Sequence, residues 1–192
     1  MVDMEAVREH VRGLIIALGD DPDREGLVET PDRVARMYEE MFEGMNYTNE
    51  DIAEMMGKTF DMGYQNTDMV IVRDIEIFSH CEHHLALMYD MKVTVGYIPK
   101  GRVLGLSKIA RIAELASKRL QLQERIGADI ADIISMAAKT DDVAVYIEGK
   151  HSCMTARGIK NCSAVTQSTT MRGRFRDEHN MQNRFYMQLK GY

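Results

Sequence analysis

What most constrains this chain is a change of hydrophobic period near residue 62. Before it, apolar residues recur every three to four positions: Val7, Val11, Leu14, Ile15 and Leu18, then Val34, Met37, Met41 and Phe42. That is the spacing of helices with one buried stripe. Beyond it, Met91, Val93, Val95 and Tyr97 alternate with Lys92, Thr94 and Gly96, and Val143, Val145 and Ile147 repeat the pattern. A two-residue period belongs to half-buried strands. Between these strands lie two consecutive helical stretches. Strands, two adjacent helices and further strands make an α+β order rather than a run of βαβ units.

Local signals place the elements. A first helix over 4–18 ends at Gly19 and Asp20-Asp21-Pro22; a second starts at Thr30, read as its cap, with Pro31 in the first turn. A short third helix begins near Asn49. Residues 69–77, rich in Val and Ile, read as a strand, and Pro99-Lys100-Gly101 stops the strand over 91–97. Ser107 is read as the cap of a helix carrying Ile109, Ile112, Ala113 and Ala116, and a further helix spans 122–138. Residues 163–171 are β-branched but polar, as in a strand with one wet or subunit-covered face. In the tail from Phe175 to Tyr192, Phe185, Met187 and Leu189 alternate, yet a short helix over 177–184 fits as well. The reading is a helical subdomain over 1–62 and a main domain over 63–192.

Charge narrows the function. The 192 residues carry 24 Lys+Arg against 30 Asp+Glu, a net charge of −6, which argues against a general nucleic-acid coat. The balance is uneven: residues 1–62 hold 16 acids and 6 bases, residues 150–192 hold 2 and 8. The basic end suits an anion, or simply the acidic face of a neighbour. No run reaches the roughly 18 apolar residues of a membrane helix, and the first residues lack the basic-then-apolar order of an export signal. A soluble, cytoplasmic protein is expected. Cys81, Cys153 and Cys162 cannot all pair within one chain, so a reducing compartment leaves thiolates for metal or chemistry. Cys162 fits equally well as a small buried hydrophobe.

Chemistry gathers at Ser79-His80-Cys81-Glu82-His83-His84 and again at His151-Ser152-Cys153-Met154. Cys81 and His84, three apart, can reach one metal from a tight turn. With Cys153 they form a thiolate–imidazole set that suits zinc better than magnesium or calcium. Three protein ligands would leave a fourth position for water, the arrangement of catalytic sites, whereas Cys162 as fourth ligand would close the site into a structural one. His83 and His151 are candidates for proton transfer, and Glu82 for a supporting contact or for solvent. Gly105-Leu106-Ser107-Lys108-Ile109-Ala110-Arg111 opens a helix with free N–H groups and two bases one turn apart. With Arg157 and Lys160 it suits a phosphate-bearing substrate. Gln123-Glu124 starts the next helix, where a carboxylate can receive two parallel N–H groups of a heterocycle.

These motifs, with Thr30-Pro31-Asp32-Arg33-Val34-Ala35, Arg119-Leu120-Gln121 and Arg157-Gly158, closely resemble the GTP cyclohydrolase I family, in family order across residues 29 to 173. The resemblance implies a T-fold (tunnelling fold), an antiparallel sheet with two packed helices preceded by N-terminal helices. It implies a homodecamer of two stacked rings with active sites between subunits. It implies Zn2+ on Cys81, His84 and Cys153, catalytic roles for His83, His151 and Ser107, and substrate binding by Glu124, Gln123, Lys108, Arg111, Arg157 and Arg33. The implied reaction opens the guanine imidazole ring of GTP by hydrolysis, releases formate and forms 7,8-dihydroneopterin triphosphate, the entry to folate, another pterin or a deazapurine. Ala86-Leu87-Met88 departs from the family, which usually has a proline and an aromatic residue there. The same residues also fit three rival readings: a deazapurine nitrile reductase, a hydrolase that stops at the formyl stage, and a zinc-stabilised assembly protein without turnover.

Overall fold

The computed structural model describes residues 1–63 and 68–189. The chain divides into two compact units, Met1–Asn46 and Tyr47–Tyr192. In the first, α1 (Met4–Ala17) packs on α2 (Thr30–Met41), followed by a 3-10 turn, Glu43–Asn46. Ile15, Ala35 and Phe42 are buried, and the Phe42 ring lies 5.2 Å from that of Tyr38. Asp3 caps α1 by accepting from the Ala6 N–H. Thr30 does not cap α2. Its N–H is taken by the Leu27 carbonyl of the preceding turn, Glu29 stands at the cap position without a side-chain bond, and Thr30 is already helical. Arg12 grips Asp23 with two hydrogen bonds of 2.7 and 2.8 Å, and the Arg24 guanidinium holds the Asp20 carboxyl down at about 2.

The second unit opens with α3 (Asn49–Met56), where Thr48 and Asp51 form a reciprocal capping box. Next come β1 (Thr59–Asp61), β2 (Val70–Cys81), β3 (Ala86–Tyr97), β4 (Arg102–Leu104), α4 (Leu106–Ser117), β5 (Leu120–Gln121) and α5 (Gln123–Ala138). After them follow β6 (Val143–His151), α6 (Ser152–Thr155), β7 (Thr166–Met171), α7 (Arg174–Asp177) and α8 (His179–Leu189). β1 and β4 pair as a small separate ribbon, and the main sheet runs β5-β2-β3-β6-β7. Its ladders are antiparallel except β5 on β2, which is parallel. The molecule is α+β.

Alternation decides the layers. Ile77, Met91, Val93, Val95, Val145 and Ile147 point to one face, and Ile109, Ile112, Ile126, Ile130, Ile133 and Ile134 of α4 and α5 cover it. Each such side chain contributes roughly 1.5–3 kcal/mol when fully buried. α3 packs on α4 and α5, so the compact unit begins upstream of the change of period. The tail takes the helical option. Met181 and Phe185, four apart, share one helical face and bury with Phe175, Ile98 and Ala144 in a second cluster, while Met187, which strand alternation would put on the face of Phe185, is exposed. Residues 190–192 of that tail reading lie outside the described residues. Ser107 is not a cap either. Gly105 occupies that position directly after β4, and Ser107 sits within the first turn.

Gly173 joins β7 to α7 at φ +53; a Cβ there would stand 2.3 Å from Asp142 Oδ1 and 2.7 Å from the Asp141 carbonyl. Gly173→Ala is expected to cost about 2–3 kcal/mol of stability. Gly158→Ala, at φ +60 in open space, should cost about 1 kcal/mol, and urea unfolding of the two variants checks the difference.

Candidate metal centre

β2 ends on Cys81, β3 begins on Ala86, and these two residues are paired, so Glu82–Leu85 form a tight connection. The His84 N–H closes it on the Cys81 carbonyl, and Leu85 adopts the left-handed conformation at φ +51. That turn carries His84 Nδ1 to 3.9 Å from Cys81 Sγ. On β6, His151 is opposite Met88 of β3, and the single turn of α6 then swings Cys153 toward the same hairpin end. One ligand atom each from Cys81, His84 and Cys153 lies within 4.8 Å of the other two, a group that could hold a metal ion. Cys162 is not in it; its exposed thiol lies 4.0 Å from the Lys160 carbonyl. Burial, reinforced by the nearby Cys81, pushes the Cys153 thiol up, so without a cation the site favours protonated sulfur.

His151 is oriented from behind. The buried Gln123 amide nitrogen faces the Ile147 and Thr166 carbonyls at 3.2 and 3.1 Å and the Ser168 hydroxyl at 3.2 Å. Carbonyls only accept, so the amide oxygen is the end that faces His151 Nε2 at 2.9 Å, and that ring nitrogen must donate. In the neutral ring the lone pair is therefore on Nδ1. Burial lowers the His151 pKa, partly countered by the charge of Glu124, and burial also lowers that of His80. Unfolded imidazoles take up protons near 6.5 while these two resist. Stability of the metal-free protein is thus expected to be full above pH 6.5 and to fall as the pH drops through and below it. His80→Asn should flatten that fall, as urea midpoints taken against pH in the presence of chelator would register.

Glu124 stands exposed on the first turn of α5, beside Gln123. Glu82 pairs with Arg125 at 2.7 Å, and its N–H bonds the Gln121 carbonyl, which ties the hairpin turn to the start of α5. His83 is exposed, its ring 6.3 Å from that of His84, and Arg157 Nη1 lies 3.0 Å from His84 Nε2. Ser107, Lys108 and Arg111 are elsewhere in the unit. Ser79 donates to the carbonyl of Ser117, so the last turn of α4 is the one near the Cys81 end of β2. Ser107 stands about 15 Å back along the helix axis, at 1.5 Å per residue. Arg33 is on α2 of the first unit, exposed and paired with Glu29.

Residue patterns alone missed the polar knot beneath this site. Arg119 pairs with Asp129 at 3.0 Å and donates to Asn49 Oδ1 and the Tyr47 carbonyl, while Gln121 donates to Asp129 at 2.7 Å. Its members come from three elements, and no single spacing announces them.

Residues 7–190 match the family model described as GTP cyclohydrolase I. The chain belongs to the GTP cyclohydrolase I family. A relative from Clostridium acetobutylicum named GTP cyclohydrolase 1 is 58% identical, with 94% of this chain and 94% of that protein covered. Another of that name, from Ruminiclostridium cellulolyticum, is 57% identical over 98% of this chain and 99% of its own length. Among solved structures, archaeosine synthase QueF-Like in the apo form aligns at 17% identity and a TM-score of 0.44, covering 57% of this chain and 96% of that one, too distant a likeness to support an assignment. No helix among the described residues is long and apolar enough to cross a membrane.

Proposed function

We propose that this chain is a zinc-dependent GTP cyclohydrolase I, converting GTP and water to formate and 7,8-dihydroneopterin triphosphate. The observation that carries the reading is the convergence of Cys81, His84 and Cys153 beside His151, Gln123 and Glu124, in a chain of this family. Two thiols and an imidazole fit zinc, and Cys81, His84 and Cys153 would hold it. When bound, the ion would supply Lewis acidity at the carbon under attack and lower the pKa of water.

The chain's own residues do the rest. Glu124 receives N1–H and the 2-amino group of guanine and so selects it over adenine. Gln123 serves the substrate site through His151, whose ring it orients. Nδ1 of His151 is the atom at which this residue takes up and hands on protons, first to N7 of the base as water adds at C8, and then to N9, with the proton released by the added oxygen, as the C8–N9 bond breaks. His83, exposed beside His84, is the second proton carrier as the ribose opens, and Ser107 a third. Lys108, Arg111 and Arg157 hold the triphosphate, and Arg33 reaches a site from another subunit.

We also infer a T-fold assembled as a homodecamer. In that assembly Ser107, about 15 Å along α4 from the end near Cys81, serves the metal group of a neighbouring copy. On this reading 63–192 is the catalytic part and 1–62 an accessory helical part. The protein should remain soluble and cytoplasmic.

Incubation of metal-analysed protein with GTP tests the activity. Formate and the pterin product in equal amounts are expected. Ring opening without formate would favour a hydrolase that stops at the formyl stage. Mixing inactive Ser107→Ala and Cys153→Ser chains should restore part of the activity if sites are shared between copies, and no restoration would count against sharing.

A further inference from the structure

His84 is held from both sides. Its Nδ1 faces Cys81 Sγ at 3.9 Å, and its Nε2 faces Arg157 Nη1 at 3.0 Å. A guanidinium offers only N–H groups, so the second contact is a hydrogen bond only if Nε2 presents its lone pair. In a neutral ring the proton then sits on Nδ1, directed at the Cys81 sulfur.

This arrangement and metal ligation by His84 exclude each other. If a metal takes Nδ1, the one ring proton moves to Nε2, and two donors face each other across 3.0 Å. If it takes Nε2, it needs the lone pair that Arg157 occupies. Either way the guanidinium must withdraw. Arg157 is exposed, and no carboxylate pairs with it among the described residues; besides His84, the structure places its charge near the Cys153 thiol.

We propose that Arg157 is a latch on His84 that metal loading opens, making its guanidinium available to an anionic group of the substrate only once the metal is in place. The proposal rests on the assignment of Cys81, His84 and Cys153 to zinc. It sets an order of assembly, metal first and nucleotide second. In the metal-free chain, one of the cations needed for a polyphosphate is committed to a ligand of the metal.

Zinc affinity of the full chain, measured by competition with a chromophoric chelator, tests it. Binding must break the latch, so by linkage Arg157→Met should bind zinc more tightly, by about 3- to 10-fold for one charged-donor hydrogen bond on an exposed pair. Losing a positive charge would also tighten cation binding, but that contribution fades at about 1 M salt, where the Debye length is about 3 Å. A gain that persists in high salt is expected. Equal affinities, or a gain that disappears in high salt, overturn the latch. A crystal structure of the zinc-loaded protein gives a direct second reading. Arg157 should stand away from His84, and a ligating His84 still within hydrogen-bond distance of Arg157 overturns the proposal. Failure of the metal assignment looks different: wild type would bind no zinc, or Cys153→Ser would retain it.

Discussion

Replacing Cys153 by serine is expected to leave less than about a tenth of the bound zinc and to slow formate release by at least about 10³-fold. A serine hydroxyl does not ionise at neutral pH, so the site keeps one thiolate and one imidazole, too few for a three-ligand zinc centre. The loss should be chemical, not structural. Cys153 is half-buried on the single turn of α6, which the Ala156 N–H to Ser152 carbonyl bond and the 3.4 Å contact of Tyr89 with Thr155 hold without the thiol. Circular dichroism and urea unfolding should match those of the metal-free wild type. Metal analysis beside a formate assay checks both halves. A variant that keeps stoichiometric zinc and full turnover would remove Cys153 from the centre and reopen the choice of third ligand.

The second large effect is on the base. Glu124→Gln should lower kcat/KM for GTP by about 10²–10³-fold with zinc content unchanged. Gln keeps the size but gives up the charge and one of two acceptors, and a site built to pair with two N–H groups loses most when those groups are left facing a donor. Fold stability should hardly move, because Glu124 is exposed and the framework bonds at that helix start belong to Gln123. The decisive comparison is with inosine triphosphate, which lacks the 2-amino group. Wild type should prefer GTP strongly, and the variant should lose most of that preference. An unchanged ratio would mean that Glu124 does not grip the base.

The sequence disclosed the α+β order because its two periods sit in separate blocks, and strands such as β3 and β6 alternate without interruption. It disclosed the metal group because Cys81 and His84 lie within one turn and Cys153 directly follows a strand. Caps were less legible. Thr30 and Ser107 carry the right chemistry, but a preceding turn and the end of β4 had already decided where α2 and α4 begin. The tail could be read two ways until Phe175 supplied the partner that lets Met181 and Phe185 bury together. The role of Gln123 was also out of reach. The three partners of its amide nitrogen lie on β6 and β7, 24 to 45 residues away in sequence, and only pairing in the sheet brings them beneath one amide.

β5 is two residues long, yet it sets a distance. Its parallel pairing puts Gln121 opposite Cys81, and three residues later the chain presents Glu124 from the first turn of α5. Those few residues act as a ruler between the atoms that would hold the metal and the carboxylate that would read the base. One residue added between Glu124 and Arg125, with the buried stripe of α5 held in the core, would rotate the carboxylate by about 100° around the helix start while leaving every metal ligand, every strand and the hydrophobic core in place. Such a chain would fold and load its metal but present the wrong edge of the site to the base. Tolerance to insertion should therefore be low at this helix start, although such an insertion replaces no side chain of the site.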